Sequence, residues 1–183
     1  MAASSFAENV STGTTIATAS ASDPESQSIT YSLSGTGSGN FAVDSSGNIT
    51  LAAGLDYETA TSYSLTLSAS DGVNTTTNTL AISISDVNEA PSLTNSLAAS
   101  SFAENVSTGT TIATASASDP EAQTITYSLS GTGSDKFAVD SAGNITLSSA
   151  LDYETTTSYS LTLTASDGTN STSNTINISV DDV

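Results

Sequence analysis

Residues 62–70 read Ser62-Tyr63-Ser64-Leu65-Thr66-Leu67-Ser68-Ala69-Ser70. Tyr63, Leu65, Leu67 and Ala69 alternate with hydroxyl side chains without a break. In an extended chain successive side chains point to opposite faces, so this stretch predicts a strand with one buried and one solvated face. Leu80, Ile82 and Ile84 repeat the pattern downstream, and Ile29, Tyr31 and Leu33 repeat it upstream. Phe41-Ala42-Val43 and Ile49-Thr50-Leu51 flank Asp44-Ser45-Ser46-Gly47-Asn48, whose turn-forming residues predict a hairpin. Ile16 to Ala21 and the region around Phe6 supply two more strands. Ala52-Ala53-Gly54-Leu55 is expected to form a single helical turn leading into Asp56.

The same arrangement occurs twice. Ala2 to Glu25, AASSFAENVSTGTTIATASASDPE, returns unchanged as Ala98 to Glu121, which sets the period at 96 residues (98 minus 2). Asp56-Tyr57-Glu58 recurs as Asp152-Tyr153-Glu154, and Ser70-Asp71-Gly72 as Ser166-Asp167-Gly168. About seven short strands per period, separated by turn signals, predict an all-β chain of two tandem Greek-key antiparallel β-sandwiches. The expected partition is a first repeat at residues 1–87, a linker at 88–97 and a second repeat at 98–183.

Composition narrows the function classes. The formal charge is -18, with Lys136 the only basic residue among 183. Such a chain cannot neutralise phosphates, which excludes nucleic acid and disfavours an anionic membrane surface. No apolar stretch reaches the about 18 residues that a membrane span needs. Met1 to Ser5 lacks the basic start and apolar middle of a signal peptide, so an excised fragment is expected. Without His or Cys the usual nucleophile–base pairs are missing, and an enzyme is not expected. The Asn-x-Ser/Thr triplets, Asn48-Ile49-Thr50 among them, arise by chance in a chain this rich in Ser and Thr, and no glycan is assigned.

Acid placement carries the positive argument. Of the 19 acids only Asp44, Asp135, Asp140 and Asp181 stand outside short recurring clusters. Acids serving solubility alone would not be gathered so consistently. The stretch Asp86-Val87-Asn88-Glu89-Ala90-Pro91 ends one repeat and begins the next, and its proline makes it a poor strand interior. Calcium collects about six to eight oxygen ligands from carboxylates, amides and carbonyls, so this hinge is a candidate metal site. If extended, Asp56 with Glu58 and Asp23 with Glu25 each project two carboxylates from one face. A catalytic pair needs carboxylates opposed across a cleft, which neighbours on one face do not provide. A cation site and a solvated turn are the other readings, and recurrence in register favours the cation site.

The ordered set Ala7-Glu8-Asn9, Ser22-Asp23-Pro24-Glu25, Phe41-Ala42-Val43-Asp44 with Gly47-Asn48-Ile49, Leu55-Asp56-Tyr57-Glu58, Ala69-Ser70-Asp71 and Asp86 to Pro91 resembles the cadherin repeat. The resemblance covers essentially the whole chain. Low Lys and Arg content with high Ser and Thr looks more like the cadherin-like arrays of bacterial surface proteins and adhesins than like animal cadherins.

The resemblance implies calcium ions (Ca2+) bound between consecutive repeats and an extracellular, cell-surface location. By motif, the ligands would be Glu8, Asp56 and Glu58 from the first repeat and Asp86, Asn88 and Glu89 from the linker, with the backbone carbonyls of Val87 and Ala90. Asp119, Glu121 and Asp167 of the second repeat would complete them. Asp23, Glu25 and Asp71 would be half-sites for an upstream repeat, and Glu104, Asp152, Glu154 and Asp182 for a downstream one. The chain departs from the family pattern at Asp119-Pro120-Glu121, where Asp-x-Asp is usual, and at Glu89-Ala90, where Asp-Asn is usual. The implied function is a calcium-rigidified extender or adhesion module whose partners are neighbouring repeats, the isolated pair being monomeric. A carbohydrate- or protein-binding module, with Tyr57 and Tyr153 as exposed aromatics, is the alternative.

Overall fold

A computed structural model describes residues 4–183 and divides after Val87 into two compact units, each built around its own core. The described residues of the first unit form β1 (Ser4–Ala7), β2 (Thr15–Thr18), β3 (Thr30–Ser34), β4 (Phe41–Val43), β5 (Asn48–Leu51), β6 (Ser62–Ser70) and β7 (Thr75–Ser85). One sheet has the order β1-β7-β6-β3 and the other β2-β5-β4. Among the described strands the chain changes sheet at β1–β2, β2–β3, β3–β4 and β5–β6, the crossings of a Greek-key sandwich.

The second unit begins with β8 (Ser92–Leu97) and continues with β9 (Ser101–Ala103), β10 (Thr111–Ser118), β11 (Thr126–Ser130), β12 (Phe137–Val139), β13 (Asn144–Leu147), β14 (Ser158–Ser166) and β15 (Ser171–Asp181). Its sheets are β9-β15-β14-β11 and β8-β10-β13-β12. Residues 92–97, expected to be linker, are therefore a strand, since Leu93 and Leu97 pack on the second core and the backbone pairs with β10. The sandwiches are not wholly antiparallel. β1 pairs parallel with β7, and β9 with β15, each at one edge of its sheet.

The alternation read from residues 62–70 sets the core. Leu65 and Leu67 of β6 face Leu80, Ile82 and Ile84 of β7 and, from the other sheet, Ile16, Phe41, Ile49 and Leu51. Phe41 meets Tyr63 edge-on at 5.2 Å between centroids, and Phe137 meets Tyr159 the same way at 5.3 Å. Such pairs add roughly 0.5–1.5 kcal/mol beyond area burial. In the β4–β5 hairpin Gly47 has φ 81°, and a Cβ there would lie 2.5 Å from the Ala19 carbonyl oxygen, so this position of the turn admits only glycine.

The helical turn expected at Ala52–Leu55 is absent. The short helical segments are 3-10 turns at Ser38–Asn40 and Ser134–Lys136. Left-handed glycines, Gly37 and Gly133, start them, a backbone signal that apolar patterning does not carry.

Candidate metal centre

The first unit brings three of its acids together at the end of β7. Glu8 follows β1 and is buried, with 7% of its surface exposed. Its Oε2 accepts a hydrogen bond from the Tyr57 backbone N–H at 2.6 Å and its Oε1 one from Val87 N–H at 2.8 Å. Burying a carboxylate is costly unless donors satisfy it, and two backbone amides do so here. The same bonds tie the loop before β6 to the end of β7. Carboxylate oxygens of Glu8, Glu58 and Asp86 lie within 4.8 Å of one another. Three such groups repel unless a proton or a cation stands among them.

The arrangement recurs in the second unit. Glu104 Oε2 accepts from Tyr153 N–H at 2.9 Å, and Glu104, Glu154 and Asp182 cluster as their counterparts do. The shared acids at the 96-residue spacing fold to the same cluster, although Glu104 is only half-buried where Glu8 is buried and Asp181 stands where Ser85 does.

Asp56 lies at a turn rather than in an extended segment. Tyr57–Thr59 forms a turn, closed by Ala60 N–H to the Asp56 carbonyl at 2.9 Å. Asp56 Oδ1 caps Thr59 N–H at 2.9 Å and its Oδ2 accepts from the Thr59 hydroxyl at 2.9 Å. Asp152 does the same with Thr155, whose side chain and backbone N–H are the first causes holding Asp152 below the ordinary carboxylate range. Asp23-Pro24-Glu25 is likewise a turn rather than extended, with Asp23 Oδ1 accepting from Gln27 N–H at 2.9 Å.

The second unit holds another acidic set at its start. Asn88 donates its side-chain amide to Asp167 Oδ2 at 2.8 Å and to the Glu89 carbonyl at 3.0 Å. Asn170 Nδ2 holds the Asn88 carbonyl at 2.8 Å, and Gln123 donates to Asn88 Oδ1. Asp119 Oδ1 accepts from Gln123 N–H at 3.0 Å, while its Oδ2 and both carboxylate oxygens of Glu121 are buried without a hydrogen-bond donor. Glu121 is held below the ordinary range first by its contact with the Glu89 carboxyl, against desolvation. Two carboxyls in contact need a shared proton or a cation between them. Burial is the largest influence on Asp167 and pushes it up, but the Asn88 amide and the Thr169 and Asn170 N–H groups together bring it below the usual value.

The structure thus brings Glu8, Glu58 and Asp86 together in one unit, and Asn88, Glu89, Asp119, Glu121 and Asp167 together in the other. Val87 contributes its N–H to Glu8, and Ala90 is exposed between Glu89 and the buried Pro91. Sequence reading missed Gln123 and Asn170, the amides that fix Asn88. They recur as Gln27 and Asn74, but in a chain rich in Ser, Thr and Asn an uncharged amide does not stand out. An oxygen-only donor set with buried, donorless carboxylates suits a hard cation such as calcium and lacks the nitrogen and sulfur ligands of zinc.

Comparisons with known proteins agree with this chemistry. The family profile described as the cadherin domain matches residues 3–85 and 99–181. The chain is 38% identical over 175 residues to the Protocadherin-like wing polarity protein stan of Drosophila melanogaster, covering 86% of this chain and 5% of that protein. It is 33% identical over 178 residues to mouse Cadherin-related family member 1, covering 92% of this chain and 21% of the relative. It therefore spans only a small part of these relatives' length. Among solved structures, human Protocadherin-24 EC1-2 aligns with a TM-score of 0.67 at 26% identity, covering 100% of this chain and 96% of that one. Mouse Cadherin-23 EC22-24 aligns at 0.61 and 26%, covering 99% and 63%. Cadherin domains are calcium-dependent adhesion modules of extracellular and cell-surface proteins, not enzymes, and bind Ca2+ at the linkers between domains. This chain belongs to the cadherin family, as two tandem cadherin domains.

Proposed function

We propose that the chain is a calcium-rigidified spacer of an extracellular surface protein, in which calcium ions held at Asp86 to Ala90 lock consecutive repeats end to end. The observation that carries this is the buried, donorless set of Asp119 Oδ2 and both Glu121 oxygens in a chain of net charge -18. Glu8, Glu58 and Asp86 would supply ligands from the first repeat, and Asn88, Glu89, Asp119, Glu121 and Asp167 from the second. Asp56 and the carbonyls of Val87 and Ala90 remain proposed ligands by family motif. Asp86 and Asn88 are two residues apart, so the chain holds their own Cα atoms within about 7 Å.

The mechanism is electrostatic. Without metal, carboxylates converge and repel, and the hinge is mobile. With calcium they become ligands of shared ions, and because metal binds the folded sites only, it also stabilises the fold by linkage. The relatives named above are animal proteins; a bacterial surface array as the parent is supported by composition alone, one basic residue with abundant Ser and Thr. A sugar-binding module would rest on Tyr57 and Tyr153, and both pack half-buried against their cores, so the spacer is the reading that the site supports.

Calorimetric titration with calcium, paired with small-angle scattering in calcium and in chelator, tests it. Saturable binding with a change from a flexible to a rod-like pair is expected, with affinity reduced at least tenfold by Asp119→Ala. No heat at millimolar calcium, or an unchanged affinity in Asp119→Ala, would overturn it.

A further inference from the structure

The only basic side chain of the protein stands beside one acidic cluster and has no equivalent beside the other. Lys136 occupies the repeat position of Asn40. The backbone at the two positions is alike. The Asn40 carbonyl accepts from Ala52 and Ala53 N–H at 2.8 and 3.3 Å, and the Lys136 carbonyl from Ser148 and Ser149 N–H at 2.7 and 3.3 Å. The side chains differ. Asn40 donates to the Tyr63 hydroxyl at 3.0 Å, whereas Lys136 donates its Nζ to the Ala150 carbonyl at 2.8 Å.

Backbone and side chain together thus hold the ammonium over the loop that leads to Asp152, two residues past Ala150. Its charge acts there. Asp152 is held below the ordinary carboxylate range first by the Thr155 hydroxyl, then by Thr155 N–H, and, against desolvation, also by contact with the Glu154 carboxyl and by the Lys136 charge. Glu154 in turn brings a carboxylate oxygen within 4.8 Å of Glu104 and Asp182. The second unit's cluster therefore has an ammonium for a neighbour, and the cluster of Glu8, Glu58 and Asp86 has an amide at the same place. A fixed positive charge repels any cation that would sit among the acids, a doubly charged ion twice as strongly as a singly charged one.

We infer, resting on the calcium reading above, that Lys136 sets the metal affinity of the Glu104, Glu154 and Asp182 cluster, holding it below what these acids alone would give. Two repeats with the same acids then fill at different calcium concentrations. No other side chain of the protein supplies a positive charge that could do this. Because the ammonium is bonded at an exposed carbonyl, salt screens its effect, over a Debye length of about 10 Å at 0.1 M ionic strength.

The test titrates the full, isotopically labelled chain with calcium and follows by nuclear magnetic resonance the amides of Tyr57 and Tyr153, each bonded to the first glutamate of one cluster. In Lys136→Met the calcium midpoint at Tyr153 should fall about threefold at about 20 mM salt, with the midpoint at Tyr57 unchanged. Lys136→Arg, which keeps the charge, should match the parent chain. The gain in Lys136→Met should shrink toward nothing at about 0.5 M salt. The reciprocal change carries the charge to the other cluster. Asn40→Lys should raise the Tyr57 midpoint about threefold over Asn40→Met, which loses the Tyr63 bond equally but adds no charge. Saturation at both amides with equal Tyr153 midpoints in Lys136→Met and the parent would overturn this inference and leave the calcium reading standing. So would a gain that Lys136→Arg shares, a gain indifferent to salt, or saturation at Tyr57 alone. Saturation at neither amide would overturn both.

Discussion

The Asn40 side-chain amide donates to the Tyr63 hydroxyl at 3.0 Å, and its counterpart one repeat later, Lys136, leaves the buried Tyr159 hydroxyl without a partner. Lys136 turns outward and donates its Nζ to the Ala150 carbonyl at 2.8 Å. A buried unsatisfied hydroxyl costs about 1–3 kcal/mol, whereas an exposed bond to a carbonyl is worth less. Lys136→Asn is therefore expected to stabilise the second unit by about 1 kcal/mol, read by chemical denaturation in chelator. Tyr159→Phe should be neutral or stabilising, while Tyr63→Phe, which breaks a bond, should cost about 1 kcal/mol.

Glu8 separates structure from metal binding. Truncating it strands the Tyr57 and Val87 N–H groups, each left with a desolvation cost. Glu8→Ala should lower stability by about 2–4 kcal/mol even in chelator. Glu58→Ala, at an exposed position of the same cluster, should leave chelated stability within about 0.5 kcal/mol and lower calcium affinity instead. Denaturation with and without calcium distinguishes the two. Equal losses for both variants in chelator would show that Glu58 also holds the fold.

Much of this was legible because strands announce themselves by alternation and the repeat doubled every signal. Tyr63 to Ala69 named its own buried face, and Glu8, Glu58 and Asp86, which the sequence places in three separate motifs, bring carboxylate oxygens within 4.8 Å of one another. What escaped notice has physical reasons. Residues 92–97 alternate too weakly to be read as a strand, with Thr94, Asn95 and Ser96 between two leucines. The spacing of Asp56 with Glu58 and of Asp23 with Glu25 does not decide between strand and turn: an Asp followed by Thr or Gln three or four residues on closes a turn by capping N–H groups, and these short local bonds outweigh β pattern. The parallel pairing of β1 depends on which sheet edge is open, which no local pattern encodes.

Two acids outside the clusters set an acid limit to stability. Asp140 Oδ1 accepts from Ala142 and Asn144 N–H at 2.9 and 2.8 Å, and its Oδ2 from the Asn144 amide at 2.8 Å. Asp44 repeats this with Ser46 and Asn48. In both the Asn side chain, then its backbone N–H, holds the carboxyl below the ordinary value of 3.8. A group with a lowered pKa in the folded state stabilises fully above its unfolded value and loses that contribution as pH falls through the folded one. Asp140→Ala should therefore be less stable than the parent chain at pH 7, with the gap narrowing as pH falls below about 4. Thermal unfolding in chelator from pH 7 to 3 reads it, and a gap that widened in acid would contradict the assignment.

Ala122 has φ 56° and its counterpart Ser26 has φ 63°, left-handed conformations at residues that are not glycine. Both follow an acidic pair: Ala122 N–H donates to the Asp119 carbonyl at 3.1 Å, and Gln123 N–H to Asp119 Oδ1 at 3.0 Å. A left-handed L-residue costs roughly 1–2 kcal/mol, and glycine returns roughly 0.5–1 kcal/mol of that as chain entropy. Ala122→Gly should thus stabilise the chelated chain by about 0.5–1 kcal/mol. If the turn's purpose is to hold Asp119 and Glu121 ready for a cation, the looser glycine turn should lower calcium affinity a few-fold while raising stability. Denaturation in chelator and calorimetry with calcium, run on the same variant, give the two signs. A rise in both would mean that the left-handed residue serves only to close the turn.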